Sequence, residues 1–136
     1  MTQSWAMDAA RHIALDKQEI AEHVTRYAYA VDFGEFASFR AVLADDVRTE
    51  FVMRALGRDD ISVAGADALV ERMSSRGEAP MVPRHAMTNH LVDVDGDRAR
   101  SRSYLANGSA VYTCDHARGP DGWRMTTLEV RMFVTD

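Results

Sequence analysis

The side chains able to do polar chemistry are few enough to weigh one by one. The chain carries five histidines and a single cysteine. His85 and His90 fall in Val82–Val94, a stretch that reads as a β-strand. Side chains on a strand alternate between faces, so His85, Met87, Asn89 and Leu91 share one side and His90 takes the other. A metal held by His85 and His90 together is therefore not expected, and no third ligand stands at a suggestive spacing. His12, His23 and His116 read as surface residues. Cys114 cannot make an internal disulfide. In a strand-like segment it reads as a small buried hydrophobe before it reads as a nucleophile. Arg98, Arg100 and Arg102 share one strand face, which reads as a solvated sheet surface.

Composition narrows the function classes. The 136 residues suit one domain, and a hydrophobic content of 46% is enough to bury a core. The net charge of -5 and the lack of any long basic run argue against a nucleic-acid partner. No segment approaches the length of an apolar membrane span. The N-terminal MTQSWAMDAARH lacks the basic-then-apolar pattern of a secretion signal. The expectation is one cytoplasmic domain over residues 1–136, with 1–15 as an N-terminal extension.

The elements that must position these side chains follow from periodicity. Asp16-Lys17-Gln18-Glu19 has the spacing of a capping box. Ile20, Val24, Tyr27, Ala28 and Val31 then recur every three or four residues, as on one helix face. Gly34 offers a stop. A short second helix follows, with Phe36, Phe39, Val42 and Leu43 inward. Val47, Thr49, Phe51 and Met53 alternate with Arg48, Glu50, Val52 and Arg54, which predicts a strand with one buried face. Arg58–Ala64 reads as a turn, and Gly65–Ser74 as a third helix with Ala68, Leu69 and Met73 inward. Arg76–Pro83 reads as a loop. Strands then run through Val82–Val94, Arg98–Ala106, Ala110–Arg118 and Trp123–Val134. Asp95-Gly96-Asp97, Asn107-Gly108 and Gly119-Pro120-Asp121-Gly122 separate them as turns. On the second of these strands Ala99, Ser101, Ser103 and Leu105 form a face of smaller residues. Helices first and strands last predict an α+β fold with an antiparallel sheet.

Several of these segments resemble the SnoaL-like domains of the nuclear transport factor 2-like superfamily. Tyr27-Ala-Tyr-Ala-Val-Asp32-Phe-Gly-Glu-Phe36 resembles the end of the family's first helix. Leu43-Ala-Asp-Asp-Val47 resembles the entry to its first strand, and Gly65-Ala-Asp-Ala-Leu69 the start of its third helix. Arg84-His85-Ala-Met-Thr-Asn89, followed by Val92-Asp-Val-Asp-Gly-Asp97, resembles the hairpin that carries the pocket histidine. Asp121-Gly-Trp-Arg124 resembles the opening of the last strand. The likeness runs in register from about residue 16 to the end. It implies three helices closing a curved antiparallel sheet around a cone-shaped pocket, and a homodimer. A fold of this kind hosts unrelated functions, so activity must be argued from the site.

Among the dehydratase-like relatives the resemblance points to Tyr27, Asp32 and His85 as catalytic, with Tyr29 as the alternative tyrosine. The chemistry is coherent. Dehydration or isomerisation beside a carbonyl needs a base for an activated C–H proton and a donor for the developing oxyanion or the departing hydroxyl. Histidine titrates near neutrality, a carboxylate can orient it and balance its charge, and a phenol can donate. Phe51, Met87, Asn89, Ser103 and Asn107 are the expected substrate-binding residues. Asn107 stands near where scytalone dehydratase has a second pocket histidine and the bile acid enzyme an aspartate; Tyr112 is left without a predicted orientation. The expectation is a lyase or isomerase needing no cofactor and no metal, acting on a hydrophobic oxygenated small molecule. The competing reading is a non-catalytic binding protein or an oxygenase small-subunit-like module. An epoxide hydrolase would require a pocket arginine, and Arg84 should face away from His85.

Overall fold

The computed structural model describes residues 2–75, 84–106 and 110–133, with side chains from Trp5 onward. The expected loop over 76–83 and the position of Asn107 lie outside the described residues.

Helix α1 runs unbroken over Thr2–Phe33. The expected capping box at Asp16 is not a helix start. No glycine or proline interrupts residues 2–33, so nothing stops the helix from propagating through that point. Asp16 instead accepts from the Trp123 indole N–H at 3.0 Å and from the Arg118 guanidinium at 3.1 Å. The first part of the helix is exposed, and its inward face begins at Ile20 and continues through His23, Val24, Tyr27 and Ala28. Gly34 ends it in the left-handed region at φ 73°, its N–H bonded to the Ala30 carbonyl at 2.9 Å. Helix α2 (Phe36–Arg40) buries Phe39. Helix α3 (Ala66–Ser74) buries Ala66, Leu69 and Met73. Ala68, expected inward, is exposed, because the inward face of α3 is the one carrying Ala66, Leu69 and Met73.

Six strands form one curved, unclosed sheet in the order β2-β1-β6-β5-β4-β3. They are β1 (Leu43–Val52), β2 (Ile61–Ala64), β3 (Met87–Asp95), β4 (Arg98–Leu105), β5 (Ala110–Gly119) and β6 (Gly122–Met132). Strand β1 pairs with β6 in parallel, and the other neighbours are antiparallel, so the α+β fold has a mixed sheet. Strand β2 occupies the segment expected to be a turn. Only Ile61 and Val63 carry its alternation, too short a signal to separate from a loop until β1 supplies the partner. Val52, expected outward, is buried along with Phe51 and Met53 at the end of β1.

The sheet register lines up the inner face in rows. One row holds Thr49, Leu128, Cys114, Ser101 and Val92; the next holds Phe51, Val130, Tyr112 and Ser103. Between these rows and the helices lies the main core, built on Val24, Tyr27, Phe39, Leu69, Met125 and Val130. A smaller core joins Ile20, Ala99 and Trp123 to Val92 and Val94. The outer face of β4 presents Arg98, Arg100, Arg102 and Tyr104, as the alternation predicts. No helix among the described residues is long and apolar enough to cross a membrane.

Candidate active site

The end of α1 and the segment leading into β3 meet around one carboxylate. Asp32 sits in the last turn before Gly34 stops the helix, and its side chain is only 4% exposed. One of its oxygens accepts from the backbone N–H of His85 at 2.6 Å, and the other lies 2.6 Å from His85 Nδ1. An ionised carboxylate only accepts, so the ring donates from Nδ1 and its lone pair falls on Nε2. Nε2 has no hydrogen-bond partner among the described residues. Two bonds to one carboxylate fix both the backbone and the ring of His85, which is the geometry of a histidine prepared to accept a proton.

Arg84 secures the same junction from outside. Its guanidinium donates to the Asp32 carbonyl at 3.0 Å and lies over the Phe33 ring at 4.6 Å. It therefore braces the end of α1 and is exposed, facing away from His85 as expected.

The two tyrosines stand on different faces of the helix. Tyr29 is 52% exposed and stacks on Phe33. Tyr27 is buried, with its ring centroid 6.2 Å from that of His85 and 5.1 Å from that of Tyr112. Phe39 packs on Tyr27 edge-on at 5.7 Å. Tyr112, which the sequence left without an orientation, thus faces inward next to Tyr27. Five residues separate Tyr27 from Asp32 on the helix, roughly 140° of rotation. His85 lies between them and touches both, so the angle does not keep them apart.

The expected substrate-binding residues divide. Phe51 and Ser103 are buried on the inner face, and Met87 packs against the main core. Asn89 is exposed, contrary to the alternation that grouped it with His85 and Met87. The cause is a β-bulge: Thr88 pairs with Tyr104 and Leu91 with Arg102, leaving Asn89 and His90 both opposite Ser103. Asn89 carries φ 56°, a left-handed conformation uncommon for a side-chain-bearing residue. Beyond it the alternation is inverted. His90, Val92 and Val94 become the half-buried residues, and Leu91 is exposed. His90, expected to face away, therefore faces in, with its Nδ1 buried.

A second polar cluster lies deeper, between α1 and the β4–β5 pair. His23 and His116, both expected at the surface, are 8% and 1% exposed. Burial pushes both pKa values from 6.5 down to about 4. Arg26 and Arg124 push His23 further the same way, and His23 does so for His116. His116 Nε2 lies 2.8 Å from Ser101 Oγ. Burial pushes the Cys114 thiol up to about 12, against any nucleophilic role. Among the described residues no group of three or more His, Cys, Asp or Glu could hold a metal ion.

The comparisons with known proteins agree with this architecture. The model of the SnoaL-like domain matches residues 13–129. No curated protein matches the chain. A protein of Kribbella flavida is 25% identical, with a TM-score of 0.69 over 91% of this chain and 95% of the other. A nuclear transport factor 2-like protein with a cystatin-like fold from Novosphingobium aromaticivorans is 19% identical, with a TM-score of 0.73 over 96% and 90% of the two chains. A scytalone dehydratase-like protein of the same organism is 16% identical, with a TM-score of 0.67 over 100% and 91%.

Proposed function

This chain belongs to the SnoaL-like domain family, and we propose that it is a lyase or isomerase that removes a proton beside a carbonyl of a hydrophobic, oxygenated small molecule without a cofactor. The observation that carries this reading is the double grip of Asp32 on His85. His85 Nε2 takes the C–H proton. The Asp32 carboxylate balances the imidazolium that forms, and Tyr27 donates a hydrogen bond to the carbonyl oxygen as charge develops there. In a dehydration the same imidazolium returns its proton to the leaving oxygen, so that water departs and a double bond remains.

Deuterium exchange into the α-position of β-tetralone in heavy water, followed by NMR, tests the first step without knowledge of the natural substrate. Wild-type protein accelerates exchange over buffer, and Asp32→Asn and His85→Ala each remove most of the acceleration. Exchange that persists in both variants overturns the dyad.

The packing of Tyr27 among Phe39, Tyr112 and His85 supports a second reading, a protein that binds such a compound without turning it over. Binding of β-tetralone with exchange no faster than in buffer would favour it. Pairing of two copies through the outer sheet face belongs to the same proposal. Leu91 and Tyr104 supply exposed apolar area among the arginines of that face. A monomer in sedimentation at micromolar concentration counts against it.

A further inference from the structure

Two serines stand two residues apart on the inner face of β4, and only one is accounted for. Ser101 Oγ pairs with His116 at 2.8 Å. Ser103 is 1% exposed, and its Oγ has no partner among the described residues. The Nδ1 of His90 is in the same condition. Native interiors rarely leave such atoms unsatisfied, and an exception calls for a water or a ligand.

The two orphans are neighbours. Asn89 and His90 together oppose Ser103 across the β3–β4 ladder, where facing side chains lie about 5 Å apart. His90 reaches the inner face only because the bulge at Asn89, with its φ of 56°, inverts the alternation of β3. A bulge that holds a side-chain-bearing residue in the left-handed region has a conformational cost, and bulges are frequent where a side chain must be re-aimed beside a functional site.

The pair is also in line with the dyad. Ser103 is the register partner of Tyr112, Tyr112 packs on Tyr27, and Tyr27 packs on His85. Along β4, the Ser103 row lies two residues from the row of Leu105 and Met87, about 6.7 Å. The contacts His85–Tyr27 and Tyr27–Tyr112 and the Tyr112–Ser103 register thus run from the dyad to the orphan pair.

We propose that Ser103 Oγ and His90 Nδ1 form a second polar binding position, which takes a hydroxyl or carbonyl oxygen on the part of the substrate remote from the reacting carbon. A serine hydroxyl donates or accepts, and a neutral imidazole nitrogen does either according to tautomer. The position therefore suits a neutral oxygen. The substrate class implied is a ring compound with at least two oxygens, one at the dyad and one across the ring system. This deepens the acid–base reading above and rests on it for the orientation of the substrate, but the binding position is measurable without turnover.

The test compares the dissociation constants of β-tetralone and of β-tetralone carrying a hydroxyl on its aromatic ring, by calorimetry with the full chain. Wild-type protein binds the hydroxylated probe about tenfold more tightly, the ordinary worth of one well-made hydrogen bond. Ser103→Ala and His90→Phe each reduce the preference to about twofold or less. The ratio of the two constants cancels any general loss of binding. Should His90→Phe fail to fold, Ser103→Ala, which removes a single buried oxygen, still decides. The proposal is overturned by equal affinities in wild type, by a preference that survives Ser103→Ala, or by failure of both probes to bind. Waters that no ligand displaces would give equal affinities. A preference that Ser103→Ala removes, with no enzymatic exchange in wild type, sinks the dyad reading and leaves the binding position standing. Exchange without any preference does the reverse.

Discussion

Two pairs of polar side chains built on histidine sit in the same molecule and are prepared for opposite tasks. His85 is bonded to a carboxylate at the junction of α1 and β3. His116 is bonded to the Ser101 hydroxyl deep between α1 and the sheet, beside His23. In the proposed reaction the carboxylate would offset the charge of an imidazolium formed at His85. A hydroxyl cannot compensate the loss of water, and burial drives His116 and His23 to the neutral form. The lesson is that burial alone does not make a histidine functional. The partner on its second nitrogen decides whether charge can be taken up during a reaction.

The largest expected effect separates the two pairs by activity. Asp32→Asn keeps the shape but removes the counter-charge, and α-exchange should fall about a thousandfold, within the usual range for acid–base catalysis. His116→Phe in the other pair should leave exchange nearly as it is in protein that remains folded. Similar losses from both changes would mean that the two regions are not distinct.

The next effect separates them by pH. An unfolded histidine takes up its proton near 6.5, whereas folded His23 and His116 resist it down to about 4. Above pH 6.5 neither state binds the proton, and the full stability is present. As pH falls from 6.5 towards 4, the unfolded state gains protons that the folded state does not, so stability is lost. Each histidine contributes up to about 3 kcal/mol to this loss. Urea midpoints measured across the window should decline, and His116→Phe should flatten its share of the decline. An unchanged slope in that variant would place the titration elsewhere.

The smallest effect lies inside the dyad region. Tyr27→Phe keeps the ring that packs on Phe39 and Tyr112 and removes only the hydroxyl. Exchange should fall about a hundredfold in protein that remains folded. A large loss of stability with intact exchange would make Tyr27 a core residue and nothing more.

Much of the fold was legible because its signals are local. Gly34 stops α1, Gly96 turns β3 into β4 at φ 59°, and Gly122 turns β5 into β6 at φ 96°. Each needs a left-handed backbone that glycine adopts without a Cβ clash. The inward faces of α1 and β4 followed from their periods. The misread segments are those whose state depends on a distant partner. Strand β2 needed β1 beside it. Asp16 resembled a helix cap until Trp123 and Arg118 claimed its carboxylate from the far end of the chain. His23 and His116 are different: the local periods mark both as inward, His23 by its place between Ile20 and Tyr27 on the helix face and His116 by its parity with Tyr112 and Cys114, and only their residue type suggested the surface.

The candidate site divides along the same line. The sequence by itself determined which residue types were on hand and roughly which elements carry them: Tyr27 and Asp32 at the end of one helix, Ser103 on the small-residue face of one strand, and His85 in a segment read as strand, although β3 begins only at Met87. It did so because helix and strand periods are written in residues only two to four positions apart. Only the tertiary structure decided that Asp32 and His85, 53 residues apart, share a carboxylate and two N–H groups. It alone turned Asn89 out and His90 in. The physical reason is that a hydrogen bond between distant residues, or a bulge in a ladder, forms against a neighbouring element, and the chain holds no record of that neighbour until it folds.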